Sequence, residues 1–87
     1  MLVRFNTDFD RQFKERLINR QKIQVLDAID LFIDKPFHED FRNHALKGQW
    51  LGYRSISIGG DLRLHFKMID DETAYFVAVG NHKQLYK

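Results

Sequence analysis

The only proline in the sequence, Pro36, divides the 87-residue chain into two stretches with different periodicities. Between residues 7 and 35, apolar residues recur every three or four positions, which is typical of amphipathic helices. Beyond residue 52 they alternate with polar residues, which is typical of strands that have one buried face. Because proline disfavours helical geometry in the residue before it, we expect the helical stretch to end at Lys35.

The first half of the chain predicts a short strand followed by two helices. We expect the strand at residues 2–6 and the first helix from Thr7-Asp8, where Asp8 is a suitable N-cap. The apolar stripe of this helix comprises Phe9, Phe13 and Leu17. A second helix from about Gln21 carries a stripe of Ile23, Leu26, Ile29 and Ile33, joined by Val25 and Phe32. The two stripes predict a helical hairpin that packs on one face of a sheet.

The second half predicts a loop and three strands. Residues 36–52 show no clear period, and we expect a loop there. Strands are expected at about 53–58, 61–68 and 73–80, with the first turn at Gly59-Gly60 and the second at residues 70–72. Since strands joined by tight turns are antiparallel, the predicted fold is α+β with element order β-α-α-β-β-β. We expect one domain that covers residues 1–87.

The register of the first hairpin decides which side chains share a face. A three-residue loop with a bulge places Ile56, Leu62, Leu64 and Phe66 on one face. It places Ser57, Asp61, Arg63 and His65 on the other. We prefer this register because a slip of one residue would bury the charged side chains. Arg54 then falls on the helix-facing side or at its margin.

The composition limits the cellular compartments and the kinds of reactive site that this chain can have. The sequence has no cysteine, which excludes disulfides, thiolate metal sites and a cysteine nucleophile and fits a cytoplasmic protein. No segment approaches the roughly 20 apolar residues that cross a bilayer, and the N-terminus lacks the apolar run of a signal peptide. The four histidines have no metal-ligand spacing, so we expect neither a metal site nor another cofactor. A net charge of +2 permits an acidic or phosphate-rich partner without requiring one.

Four sequence elements resemble the YafQ branch of the RelE/ParE superfamily of toxins. These elements are His44, the run Leu46-Lys47-Gly48-Gln49-Trp50-Leu51-Gly52-Tyr53-Arg54, Asp61, and Gly80-Asn81-His82 followed by Tyr86. The resemblance covers residues 43–87 well, whereas residues 1–42 match only in the order of elements. It departs from the family pattern at Ser57, where YafQ has a further histidine, and at Arg63, which matches an arginine of the RelE branch where YafQ is apolar.

The resemblance implies a RelE-like fold and a type II toxin that a cognate antitoxin holds inactive. Released toxins of this branch bind the ribosomal A site and cut the translated mRNA. The catalytic residues implied for this chain are His44, Asp61, His82, Tyr86 and Arg63. We further expect Lys47, Arg54, Ser57 and Lys83 to contact RNA.

Metal-independent RNA cleavage needs a base, an acid and cations. Imidazole exchanges protons near neutral pH, and the planar guanidinium group can make two hydrogen bonds to a phosphate. Our hypothesis assigns His82 as the acid, Asp61 or His44 as the base, and Arg63 with Arg54 as the phosphate ligands. Trp50 and Tyr53 are expected to anchor the loop on the core. His65 has no role in the family, which favours a structural or peripheral position.

The sequence leaves two other functions open. ParE-type relatives share the fold but inhibit DNA gyrase without RNA chemistry, and fold alone does not separate the two activities. The presence of His44, Asp61 and His82 favours the ribonuclease, since an inhibitor that only binds needs no titratable groups there. Ser57 keeps a third interpretation open, which is an inactive toxin that still binds its antitoxin.

Overall fold

The computed structural model describes residues 1–86 and confirms an α+β fold. Its strands are β1 (Leu2–Phe5), β2 (His44–Ala45), β3 (Arg54–Ser57), β4 (Arg63–Asp70) and β5 (Thr73–Gly80). Its helices are α1 (Thr7–Arg16), α2 (Asn19–Asp34) and α3 (His82–Leu85), with short 3-10 helices at Glu39–Phe41 and Gly48–Trp50. The sheet order is β1-β5-β4-β3-β2, with β1 parallel to β5 and every other pair antiparallel. The sequence did not predict β2 or α3.

The β3–β4 hairpin adopts the register that the alternation of apolar and polar residues predicted. Ile56 pairs with Leu64, and Ser57 pairs with Arg63. The backbone N–H of Ile58 donates to the carbonyl of Leu62 at 2.8 Å, which closes a loop of three residues, 59–61. Gly59 and Gly60 both have positive φ, +58° and +52°, a conformation that glycine adopts without steric cost. The hairpin therefore separates an apolar face from a face with polar side chains.

Helix α1 begins one residue earlier than its expected cap. The side chain of Asn6, not Asp8, accepts the hydrogen bond from the backbone N–H of Phe9 at 2.7 Å. Asp8 lies inside the first turn, where its negative charge favours the helix dipole and where it pairs with Arg11 at 3.2 Å. The expected role of Asp8 as the cap is thus wrong, because Asn6 already satisfies the free N–H.

Helix α2 turns a different face to the sheet from the one expected. Its buried residues are Val25, Ile29 and Phe32. Ile23, Leu26 and Ile33 remain 60%, 56% and 40% exposed. Consecutive residues of a helix point about 100° apart, so Phe32 and Ile33 cannot both face the sheet. The ring of Phe32 takes that place and determines the rotation of the helix.

Phe32 lies at the centre of the core between the helices and the sheet. Its side chain is fully buried. Its ring centroid lies 5.1 Å from that of Phe66 and 5.2 Å from that of Phe76, both edge-on, and 6.1 Å from that of Phe41. Edge-to-face packing at these distances is favourable beyond the burial of apolar area.

A second, smaller group of buried residues covers part of the opposite face of the sheet. Its apolar members, Leu46, Ala78 and Leu85, are buried but lie outside the main core cluster. Its polar members are Ser55 and His65, which are paired across β3 and β4 and are both fully buried. Leu46, from the segment before β3, and Leu85, from α3, thus cover part of this face. His65 lies in a structural position, as the family resemblance favoured.

Within residues 1–86, no helix has both the length and the apolar character needed to cross a membrane.

We expect Phe32→Ala to lower the free energy of unfolding by roughly 3–5 kcal/mol, because it leaves a cavity among three aromatic rings. The matched control is Ile33→Ala, which removes an adjacent side chain from the exposed face of the same helix and should cost less than about 1 kcal/mol. Urea denaturation followed by circular dichroism measures both. Equal losses of stability in the two variants would contradict the orientation of α2, in which Phe32 faces the sheet and Ile33 does not.

We expect the stability of the protein to fall on mild acidification. Burial, assisted by the positive charges of His44 and Arg63, lowers the pKa of His65 from 6.5 to about 4. Between pH 6.5 and about pH 4, His65 therefore binds a proton in the unfolded chain but not in the folded one. Because this favours the unfolded chain, the free energy of unfolding decreases progressively as the pH falls through this range. The loss between pH 7.5 and pH 5 should be roughly 2 kcal/mol, measured by urea denaturation.

The control for this pH dependence is His65→Leu, which removes the titrating group. The variant should show a much flatter dependence over the same range, whatever its stability at pH 7.5. A pH dependence as steep as that of the unmodified protein would exclude His65 as the cause.

Candidate active site

Residues from three distant parts of the chain line a cavity of about 320 Å³. The lining residues are Arg42, His44, Ser57, Arg63, His82 and Tyr86. Four of the five residues that were predicted to be catalytic are among them. Within the described part of the chain, none of the six lining residues is acidic. The cavity therefore favours an anionic ligand.

His44 contributes an imidazole whose tautomer the structure defines. It lies exposed at the start of β2, where it pairs with Ser55. Its Nδ1 lies 2.7 Å from the carbonyl oxygen of Arg42. Since a carbonyl oxygen only accepts, Nδ1 must carry the proton and donate it to this bond. In the neutral form of the ring, the other nitrogen, Nε2, has a free lone pair, as a base requires.

Arg42 adopts a backbone conformation that is uncommon for a residue with a side chain. Its φ of 49° and ψ of 44° lie in the left-handed region. The same residue ends the 3-10 helix Glu39–Phe41 and presents its carbonyl oxygen to His44. Unusual backbone angles of this kind often occur at functional sites, where the surrounding contacts maintain them.

Arg63 is held by the residue opposite it in the hairpin. Its guanidinium Nη1 donates a hydrogen bond to the hydroxyl oxygen of Ser57, its cross-strand partner. The Arg63 side chain is partly exposed, so its remaining N–H groups are available to a ligand. Ser57 thus orients a cation here, at the position where the YafQ pattern has a further histidine.

His82 and Tyr86 come from the two ends of α3. The amide side chain of Asn81 accepts from the backbone N–H of Gln84 at 2.9 Å, and the side chain of Gln84 accepts from the N–H of Asn81 at 2.8 Å. This reciprocal cap starts the helix at His82. One helical turn later Tyr86 lies beside it, with ring centroids 4.5 Å apart. The phenol oxygen also lies 3.3 Å from Nε2 of the buried His65.

Asp61 does not line this cavity. It lies exposed in the β3–β4 turn and lines a separate cavity of about 420 Å³, next to the junction of α1 and α2. Arg16, Arg20 and Asn81 line the same second cavity. Strand β4, which was expected from about residue 61, begins at Arg63 and leaves Asp61 in the turn. The role of Asp61 in proton transfer stays a prediction.

Arg54 is directed away from the candidate site. It pairs with Phe66 on the helix-facing side of the hairpin, as its register position suggested. Its Nε donates to the side-chain oxygen of Asn43 at 2.8 Å, and its guanidinium carbon lies 5.7 Å from the centre of the Phe37 ring. Alternation along β3 thus places Arg54 on the face opposite Arg63. Its expected role at the phosphate stays a prediction.

The remaining candidates for RNA contact lie outside the cavity. Lys47 is exposed and immediately precedes the 3-10 helix Gly48–Trp50. Lys83 is exposed in α3, next to His82. Both side chains are exposed, and their role in RNA contact stays a prediction.

The sequence analysis did not identify Arg42 as a residue of the cavity, and it did not predict the contacts that bury His65. Arg42 lies two positions before His44, but basic residues are common in loops, so its position alone does not indicate a function. His65 shares the polar alternation of Arg63, but its burial under Trp50 depends on a contact across the fold. The fourth histidine, His38, makes a contact within its own loop, where its Nδ1 accepts from the backbone N–H of Asp40 at 3.1 Å.

Known proteins resemble this chain along its whole length. The family model of YafQ, a bacterial toxin of type II toxin-antitoxin systems, matches residues 1–87. A putative toxin YafQ from Haemophilus influenzae is 38% identical over 72 residues, which cover 80% of this chain and 68% of that protein.

Solved structures show the same fold. The crystal structure of YafQ from E. coli superimposes with a TM-score of 0.81 at 22% identity, covering 98% of this chain and 97% of that one. The toxin-antitoxin complex RelBE2 from Mycobacterium tuberculosis gives a TM-score of 0.74 at 26% identity, covering 93% of this chain and 90% of the matched one. Together with the match over the whole sequence, this shows that the chain belongs to the YafQ family of type II toxins.

Proposed function

We propose that this toxin is an endoribonuclease that cleaves translated mRNA on the ribosome by acid-base chemistry without a metal ion. The observation that carries the proposal is the convergence of His44, Arg63, His82 and Tyr86 on one cavity. Two imidazoles and a guanidinium group at one open site are the groups that transfer of a ribose proton and stabilisation of a phosphate require. A toxin that only binds its target has no evident need for this combination.

The geometry supports His44 as the base. Its Nε2 lone pair removes the proton from the 2′-hydroxyl of the RNA, and the 2′-oxygen then forms a bond to the adjacent phosphorus. Arg63, together with Arg42, stabilises the negative charge that gathers on the phosphoryl oxygens. His82 donates a proton to the 5′-oxygen as the bond from phosphorus to that oxygen breaks. The products are a 2′,3′-cyclic phosphate and a free 5′-hydroxyl.

Tyr86 forms one wall of the cavity and is a candidate for holding the substrate. Its ring lies beside His82, and the residue is partly exposed. An aromatic ring in this position can stack on an unpaired base, which is the usual way in which proteins hold single-stranded RNA. We assign it to the orientation of the scissile nucleotide.

A cognate antitoxin is the expected protein partner. The solved relatives include a DinJ–YafQ complex from E. coli, 23% identical with a TM-score of 0.71, besides the RelBE2 complex. The net charge of +2 suits an acidic antitoxin and also suits ribosomal RNA. Ribosome, mRNA and antitoxin would all be met in the cytoplasm, which we propose as its location.

Induction of the toxin in growing cells, followed by mapping of mRNA 5′ ends, tests the proposal directly. We expect cuts within translated reading frames, a stop in protein synthesis, and no DNA-damage response. A DNA-damage response without mRNA cuts would instead favour inhibition of DNA gyrase, and unchanged growth would favour an inactive toxin.

We expect His44→Ala and His82→Ala each to slow cleavage of mRNA on programmed ribosomes by roughly 10²–10⁴-fold, because each removes one proton-transfer group. The matched control is His38→Ala, which removes a histidine outside the cavity and should leave the rate unchanged. Asp61→Asn, measured in the same assay, decides whether the carboxylate in the turn assists the base. Full activity of both the His44 and His82 variants would overturn the mechanism.

The two arginines of the hairpin give a matched pair of variants. We expect Arg63→Gln to slow cleavage by roughly 10²-fold, since it removes a cation that stabilises charge in the transition state. Arg54→Gln should retain the rate, because its side chain lies on the helix-facing side. Single-turnover cleavage measures both, with urea denaturation to confirm that each variant is folded. The reverse order of effects would contradict the assigned faces.

A further inference from the structure

His65 is a buried histidine in contact with the candidate site. Its side chain is fully buried in β4, on the face opposite the main core. It does not line the cavity, yet its Nε2 lies 3.3 Å from the phenol oxygen of Tyr86, which does. The two residues are 21 positions apart in the chain. Their contact connects the buried pair Ser55 and His65 with Tyr86, which lines the cavity.

The packing around His65 fixes the orientation of its ring. The indole ring of Trp50 lies edge-on to it, with a centroid distance of 4.4 Å and an interplanar angle of 85°. The ring of Tyr86 lies on another side at 5.4 Å. Trp50 is itself held by the bond from its Nε1 to the carbonyl oxygen of Leu85 at 2.9 Å. The imidazole is therefore presented to Tyr86 in one orientation.

The hydrogen bonds of His65 favour one tautomer. Among residues 1–86, its Nδ1 has no hydrogen-bond partner, and neither does the hydroxyl of Ser55, which pairs with it across the strands. Burial, with the charges of His44 and Arg63, lowers its pKa to about 4, so the ring is neutral at physiological pH and has a single N–H. A buried N–H without an acceptor costs more than a lone pair without a donor, which places the proton on Nε2.

We propose that His65 is a positioning residue for Tyr86: Nε2–H donates to the phenol oxygen, and the hydroxyl hydrogen of Tyr86 is thereby directed towards a phosphoryl oxygen of the bound RNA. A hydroxyl oxygen that already accepts one hydrogen bond has its own hydrogen free to donate. The inference rests on the proposed ribonuclease function. It adds that the phenol group, besides the ring, contributes to the reaction.

The test is a double-mutant cycle on the rate of single-turnover mRNA cleavage by the toxin on programmed ribosomes. The variants are His65→Leu, Tyr86→Phe, and both together. Each single change should slow cleavage by roughly three- to tenfold, the size of one hydrogen bond, and the double variant should be no slower than the slower single variant. Losses that multiply would overturn the proposal, since His65 would then act independently of the phenol group.

A rescue variant separates positioning from packing. His65→Gln replaces the ring but keeps an N–H donor at a similar distance from the backbone, and it should restore most of the rate that His65→Leu loses. In the Tyr86→Phe background the same change should have no effect on the rate. If His65→Gln is as slow as His65→Leu while both are folded, the residue is merely structural.

A measurement that does not depend on activity completes the test. In ¹⁵N-labelled protein, two-dimensional NMR of the imidazole nitrogens should show a neutral His65 with the proton on Nε2 from pH 7 down to pH 5. Tyr86→Phe should make that proton exchange faster with water. A proton on Nδ1, or a charged ring at pH 7, would refute the proposed bond, whereas a toxin that fails to cleave mRNA while showing the expected spectrum would refute only the ribonuclease function.

Discussion

The hydrogen bond from the indole of Trp50 to the carbonyl oxygen of Leu85 joins two segments on which the candidate site depends. The two residues are 35 positions apart, and the bond ties the 3-10 helix Gly48–Trp50 to the end of α3. Closing a loop of that length costs chain entropy that one hydrogen bond alone does not recover. The burial of Leu46, Ala78 and Leu85, which lie outside the main core, stabilises the folded chain further. His82 and Tyr86 face the cavity because this small second core holds their helix in place.

One face of the sheet packs in the main core and the other face carries the candidate site. Strand β4 contributes side chains to both faces. Leu64 and Phe66 belong to the main core, while Arg63 and His65 are directed to the other face. With a side-chain period of two, any shift of register by one residue would move Arg63 into the core and Phe66 out of it. The aromatic cluster around Phe32 therefore fixes the position of Arg63, although the cluster lies on the far side of the sheet.

Features that depend on local geometry were the ones best predicted from the sequence. The three main strands and the hairpin register could be predicted because alternation and two glycines act over a few residues. The rotation of α2 about its axis could not be predicted, because Val25 and Ile33 belong to two neighbouring apolar stripes. Contacts with the aromatic rings beneath the helix determine which stripe faces the sheet. The same limit applies to the site: His44 and His82 were identified from a motif, whereas the separation of Asp61 from them depends on where the turn lies against α1 and α2.

The charge distribution at the cavity depends on which cations are buried and which are exposed. Arg42 is exposed and Arg63 is partly exposed, so water can solvate their charges when no ligand is bound. His65, two residues along the same strand, is sealed beneath Trp50 and kept neutral. A positive charge on His65 would repel Arg63 and destabilise the fold, because the charge would be buried. Because His65 is neutral, the cationic side chains of the cavity, Arg42 and Arg63, have no buried positive charge beneath them in the sheet.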